Sequence, residues 1–214
     1  MSPNKQEIIV YTDGSCMNNG RADAVGGIGV HFPNKELKDI SKIYKHDVCT
    51  NQKTELYAIL TALRYIKQHL GLSTYMVTII TDSQYSINCI TKWANGWIKN
   101  GWITKTGSPV LNREYIEILH KYYEHYDIEL EHIEAHTGFS DEDSKANAIA
   151  DKLATDATRR ARQEMTNQGR SRTNYRNHRG SKTNSARSTM RSNTRSNTRS
   201  DKGNFVVEFV KAKK

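Results

Sequence analysis

Apolar and polar positions alternate with two different periods along this chain, and the switches between them mark out its elements. Ile8-Ile9-Val10-Tyr11-Thr12 is a short apolar run of β-favouring residues, and residues 7–13 read as a first strand. Residues 26–32 read as a second, with glycines that suit a bend or a close backbone approach. Asn19-Gly20 is a strong turn signal between the two. Residues 40–44 supply a third strand. Leu56, Ile59, Leu60, Leu63 and Ile66 then recur at helical spacing, predicting a helix over 53–69 that Gly71 ends. Val77-Thr78-Ile79-Ile80-Thr81 predicts a fourth strand over 75–81, and Ser83 is placed to cap a helix running to Trp93. A further helix is expected over 112–125. Residues 128–133 alternate with period two as a half-exposed fifth strand, and a last helix is expected from Ala146 to about Arg162. The order is an α/β fold with a mixed five-stranded sheet flanked by helices.

The pattern stops near Gln163. Arg, Ser, Thr and Asn dominate from there to Lys202, and large apolar residues nearly vanish. Arg187, Arg191, Arg195 and Arg199 recur every fourth residue, but Ser, Asn and Thr are weak helix formers with little to pack, so disorder is expected. Phe205-Val206-Val207-Glu208-Phe209-Val210 turns apolar again, as an added strand, a docking peptide for a protein partner, or a sticky end. The 214 residues thus divide into a domain over 1–162, a basic low-complexity linker over 163–204 and a short segment over 205–214.

Charge sharpens that division. The whole chain carries +9, but residues 1–158 carry −4 and residues 159–214 carry +13. Such asymmetry points to polyanion binding by the basic part. Three cysteines, Cys16, Cys49 and Cys89, without metal-ligand spacing suit a reducing, intracellular compartment. No run nears the ~18 apolar residues of a membrane span, and a secretory leader is not expected.

Four carboxylates sit where folding alone would not favour them. Asp13 and Asp82 end the first and fourth strands, Glu55 opens a helix, and Asp151 lies in the last one. Each has an ordinary reading: a turn at Asp13-Gly14, a helix-dipole charge at Glu55, a cap at Asp82, a solvated position at Asp151. Were the fold to bring them together, four like charges would converge at a cost that divalent cations relieve. Mg²⁺ takes oxygen ligands and keeps room for waters and phosphates.

Tyr11-Thr12-Asp13-Gly14-Ser15, Thr50-Asn51-Gln52-Lys53-Thr54-Glu55-Leu56, Thr81-Asp82-Ser83-Gln84-Tyr85, and His136-Thr137-Gly138 followed by Asn147 and Asp151 resemble, in order and spacing, the type 1 ribonuclease H family. Trp93-Ala94-Asn95-Gly96-Trp97-Ile98-Lys99-Asn100-Gly101-Trp102 resembles the basic protrusion of its eukaryotic and many bacterial members. The resemblance covers roughly residues 6–160. It implies a ribonuclease H-like fold and hydrolysis of the RNA strand of RNA–DNA hybrids, leaving 5′-phosphate and 3′-hydroxyl ends. Two Mg²⁺ ions, replaceable by Mn²⁺, would serve as cofactors. By motif, Asp13 bridges both ions, Asp151 helps hold the ion that activates water, and Glu55 and Asp82 help hold the ion at the leaving oxygen. His136 would move protons or assist product release. Its loop, Thr137 to Ala146, is longer than in typical members and adds Asp141, Glu142 and Asp143, read here as a solvated acidic surface.

The same resemblance places Cys16, Asn19, Asn51, Gln52 and Gln84 along the hybrid's minor groove, where amides can meet 2′-hydroxyls. It sets Thr50 and Asn112 on a DNA phosphate. Val48 stands where eukaryotic members often carry an arginine, which weakens that phosphate pocket, and Ala135 stands where a glycine usually precedes the histidine. Trp93 and Trp97 would contact the DNA strand, with Trp102 structural. Lys92, Lys99, Lys105 and Arg113 give this stretch +4 with no acid between Asp82 and Glu114, which suits a phosphate backbone. No separate N-terminal hybrid-binding domain is expected ahead of the first strand, and a monomer is. The basic tail is expected to supply affinity instead, and removal of primers or other hybrids in replication is the expected use. A silent hybrid-binding module and an integrase-like polynucleotidyl transferase are the other readings. The full carboxylate set with His136 argues against the first, and the hybrid-reading amides argue against the second.

Overall fold

The computed structural model describes residues 5–134 and 141–180, with side chains described up to 167. One compact unit, Met1–Thr173, holds the sheet and every described site residue. Of the second, Asn174–Lys214, only helical backbone to Gly180 is described. The expected segment Phe205–Val210 and the linker beyond Gly180 lie outside the described residues.

Five strands, β1 (Gln6–Met17), β2 (Val25–His31), β3 (Ile40–Tyr44), β4 (Tyr75–Thr81) and β5 (Ile128–His132), form one sheet in the order β3-β2-β1-β4-β5. β1 pairs antiparallel with β2 and parallel with β4, so the expected mixed sheet forms, with its apolar run at the centre. Helix α1 is Asn51–His69. The segment after Ser83 is three joined pieces, α2 (Gln84–Asn88), a π-helical turn (Cys89–Trp93) and α3 (Ala94–Lys99). Helices α4 (Arg113–His125) and α5 (Glu142–Gly180) complete the set.

Period-two alternation in β1 decides which residue faces which layer. Ile8 and Val10 join Ile28, Val30, Leu56, Ile59, Leu63 and Ile116 in the main core. Ile9 and Tyr11 face the other side, where Ile80, Ala146 and Ala150 form a smaller cluster. The sheet therefore separates α1 and α4 from the start of α5.

Three expected boundaries shift by four residues or more. β1 continues through Asp13 to Met17 because β2 pairs with it as far as Met17↔Val25. Helix α5 starts at Glu142 rather than Ala146, since Asp141 accepts from the Ser144 amide at 2.8 Å and caps the turn. It also runs on to Gly180, past the expected end near Arg162. Gln163, Glu164 and Met165 are good helix formers, and adding residues to an existing helix costs less than starting one.

Candidate metal centre and nucleic-acid interface

Two close approaches bring helix carboxylates to the sheet. A Cβ on Gly14 would lie 2.3 Å from the Glu55 backbone nitrogen, so only glycine lets α1 deliver Glu55 beside Asp13. A Cβ on Gly29, the register partner of Asp13, would lie 2.0 Å from the Ala150 carbonyl oxygen. That contact seats α5 at the residue before Asp151. The glycines of β2 thus serve the close approach anticipated for them.

Ligand oxygens of Asp13, Glu55 and Asp82 all lie within 4.8 Å of one another. Asp13 and Glu55 are buried, at 7% and 8% exposure. Burial, followed by the charges of Asp82 and Asp151, pushes the Asp13 carboxyl up to about 7, against the opposing pull of the Gly14 amide. Burial, then Asp13 and Asp82, raises Glu55 well above the usual carboxylate range. Asp151 is outside the triad. Its Oδ1 accepts from Thr155 at 3.3 Å, yet its charge acts on Asp13.

The ordinary readings of Asp13, Glu55 and Asp82 do not hold. Asp13 is paired mid-strand, not in a turn. Glu55 lies past the first turn of α1, whose cap is Thr50, and Ser83 rather than Asp82 caps α2. The residues fit a hard divalent cation. Glu55 Oε2 is buried without a hydrogen-bond partner, which is costly unless a cation meets it. His136 lies outside the described residues.

The expected hybrid readers line the neighbouring segments. Asn19 Oδ1 accepts from the Asn51 amide at 3.1 Å, joining two of them. Cys16 Sγ and Cys49 Sγ stand 2.9 Å apart as free thiols. Gln52 and Gln84 are exposed. Thr50 accepts from the Lys53 amide, which spends an acceptor lone pair and leaves its proton for another partner. Asn112 adopts a left-handed conformation, φ 58°, and donates to Tyr85 at 3.1 Å. Val48 is 54% exposed, with the Lys53 ammonium at its carbonyl, 3.3 Å away, and on Asp47.

In the protrusion Trp93 is 42% exposed, Trp97 half-buried and Trp102 buried. The rings form a chain, Trp93–Trp97 at 5.7 Å and Trp97–Trp102 at 6.5 Å between centroids. Lys92, Trp93, Trp97 and Lys105 share an open cleft of about 410 Å³.

The family model described as RNase H matches residues 5–159. The chain belongs to the type 1 ribonuclease H family. It is 53% identical over 143 residues to the probable ribonuclease H of Acanthamoeba polyphaga mimivirus, covering 67% of this chain and 62% of that one. It is 37% identical over 157 residues to ribonuclease H1 of Mus musculus, covering 73% and 52%. The chain therefore spans about half to two-thirds of the length of these curated relatives. Among solved structures, LC9-RNase H1, a type 1 RNase H with the type 2 active-site motif, matches with TM-score 0.57 and 26% identity over 73% of this chain and 74% of that one.

Three residues stand in surroundings that the sequence reading did not assign to them. Tyr11 donates to Asp143 at 2.5 Å, so the inserted acidic stretch is not wholly a solvated surface. Asn147, one turn before Asp151, has its Oδ1 buried without a partner. Buried His120 bonds the Ile90 carbonyl at 2.8 Å and Asn95 at 3.2 Å, tying the protrusion to α4. One polar residue in the stripe Ile116, Leu119, His120 was its only sequence signal.

Proposed function

We propose that this chain hydrolyses the RNA strand of RNA–DNA hybrids in the presence of Mg²⁺ or Mn²⁺, leaving 5′-phosphate and 3′-hydroxyl ends. The observation that carries this reading is the gathering of Asp13, Glu55 and Asp82 within 4.8 Å, in a chain of the ribonuclease H family. Two divalent cations held by Asp13, Glu55, Asp82 and Asp151 would supply the positive charge that water activation and the leaving 3′ oxygen require. The residues themselves do the rest. Burial and crowded charge raise Asp13 and Glu55, a cost that divalent cations held there would relieve. The amides of Asn19, Asn51, Gln52 and Gln84, with Cys16, read the minor groove. Thr50 and Asn112 hold a DNA phosphate, and Trp93 and Trp97 pack on the DNA strand. His136 moves protons or eases product release.

We propose further that the basic tail adds affinity for the polyanion, and that primer or hybrid removal in replication is the use. The odd cysteine count supports a reducing compartment. Among the described residues no helix is long and apolar enough to cross a membrane.

The test is cleavage of a labelled hybrid in Mg²⁺, with duplex DNA and duplex RNA as controls and Asp13→Asn alongside. Hybrid-only cleavage lost in Asp13→Asn is expected. Hybrid binding without cleavage, the same in both proteins, would replace this reading with a silent binding module.

A further inference from the structure

Asp151 stands apart from the other carboxylates in two ways. Its oxygens lie outside the triad, and it rides on α5, which meets the sheet through small groups. Ala146, Ala150, Ala154 and Ala157 are buried, the last three facing Gly27 and Gly29. Alanine against glycine allows a close approach, but it offers few interlocking side chains to fix a helix along its axis. Polar ties then help to fix the helix along its axis. C-terminal to Asp151, Ser41 Oγ donates to the Leu153 carbonyl at 2.6 Å and Thr158 Oγ1 to the Ser15 carbonyl at 3.1 Å. N-terminal to it, the Tyr11 hydroxyl donates to Asp143 Oδ1 at 2.5 Å.

That last bond joins the strand of Asp13 to the helix of Asp151. Tyr11 is 3% exposed, two positions before Asp13 and on the same face of β1. Its ring packs with Ile80, Ala146 and Ala150, so the hydroxyl is held in place. Asp143 lies about two turns before Asp151 on α5. A phenol donating to a carboxylate makes a short, charge-assisted bond, stronger than a neutral one.

We propose that Tyr11 and Asp143 form a positioning latch for Asp151. Their bond seats the first turns of α5 against β1, so that the fourth carboxylate stands where it can share a cation with Asp13. Neither residue touches substrate; both act through Asp151. The inference rests on the two-cation reading above. It also assigns a task to the inserted stretch Asp141-Glu142-Asp143, since Asp143 supplies the acceptor.

Tyr11→Phe removes only the hydroxyl and keeps the packed ring. Asp143→Ala removes the acceptor from an exposed position, and Asp143→Asn removes the charge but keeps an accepting oxygen. Two readouts apply: the Mg²⁺ midpoint of hybrid cleavage, and the Mg²⁺ concentration that raises the Tm of substrate-free protein. Tyr11→Phe and Asp143→Ala should raise both midpoints about 10-fold, the lower end for lost supporting partners of a metal ligand. The hybrid KM at saturating Mg²⁺ should not move. The double variant should be no worse than either single one, and Asp143→Asn should stay near the parent. Asp151→Asn serves as the reference. Parent-like midpoints in Tyr11→Phe and Asp143→Ala, beside a shifted Asp151→Asn, would overturn the latch. So would a lower Tm with unmoved midpoints, the mark of a plain structural tie. Unmoved midpoints in Asp151→Asn would overturn the two-cation reading itself, and the latch with it.

Discussion

Replacing Asp13 with asparagine should stabilise the metal-free protein at alkaline pH while removing its activity. The Asp13 carboxyl titrates at about 7 in the fold, against an ordinary 3.8, because it is buried and faces Asp82 and Asp151. A raised carboxyl pKa means that the folded state keeps its proton to higher pH than the unfolded chain does. The stabilisation is full below about pH 4 and is lost as pH climbs through 7. At about 1.4 kcal/mol per pH unit, the loss approaches roughly 4 kcal/mol. Asparagine cannot ionise and escapes it. It gives up the charge on the bond from the Gly14 amide, worth about 1 kcal/mol. The net gain at pH 8 is then about 3 kcal/mol, or roughly 6–12 °C in Tm for a domain of this size. The assay is thermal unfolding in EDTA at steps from pH 4.5 to 8.5, parent against variant. The curves should meet near pH 4.5, separate as pH climbs toward 7 and run parallel above it. Adding Mg²⁺ at pH 8 should raise the parent's Tm and leave the variant's nearly unmoved, because cation binding to the folded state adds stability by mass action. Equal Tm values in EDTA at pH 8, or curves parallel across the range, would refute the claim that like charges are crowded at Asp13.

Other outcomes follow from the same geometry. Trp93→Ala should weaken hybrid binding by about 1–2 kcal/mol with little change in Tm, because the ring is 42% exposed and aromatic contacts with nucleic acid are of that size; titration calorimetry with an inactive parent background would measure it. Gly29→Ala should destabilise by about 1–3 kcal/mol, the usual cost of overpacking, since its Cβ meets the Ala150 carbonyl. It should also cut cleavage more than Tm alone explains, because α5 carries Asp151; urea titration and cleavage at 20 °C below the Tm would separate the two. Removing residues 181–214 leaves the described residues intact and removes arginines and lysines. It should lower the log–log salt slope of hybrid binding by about 0.9 for each duplex phosphate that the tail neutralises, with kcat preserved; an unchanged slope would mean that the tail does not touch the substrate.

The sequence by itself determined much of this molecule. The apolar runs of β1 and β4 and the helical stripe of α1 are local properties, written in neighbouring residues, and these elements form where they were expected, with β1 running four residues further. Thr50 and Ser83 cap their helices for the same local reason. Asp13 and Asp82 were legible because a charge at the end of an apolar strand is conspicuous, and Glu55 and Asp151 through the motifs that carry the family resemblance. Tertiary structure alone decided what depends on distant segments meeting. It placed Asp13, Glu55 and Asp82 together while leaving Asp151 outside their triad, which no spacing along the chain encodes. It left Trp93 exposed and Trp97 half-buried. It split one expected helix with a π-helical turn, and carried α5 past the composition change near Gln163. It also joined Tyr11 to Asp143 across 132 positions. Local patterns fix only which way a side chain leaves its own strand or helix. Whether two such side chains meet is settled by the packing of the layers between them, and here that packing turns on glycines at which a single Cβ would hold α1 or α5 away from the sheet.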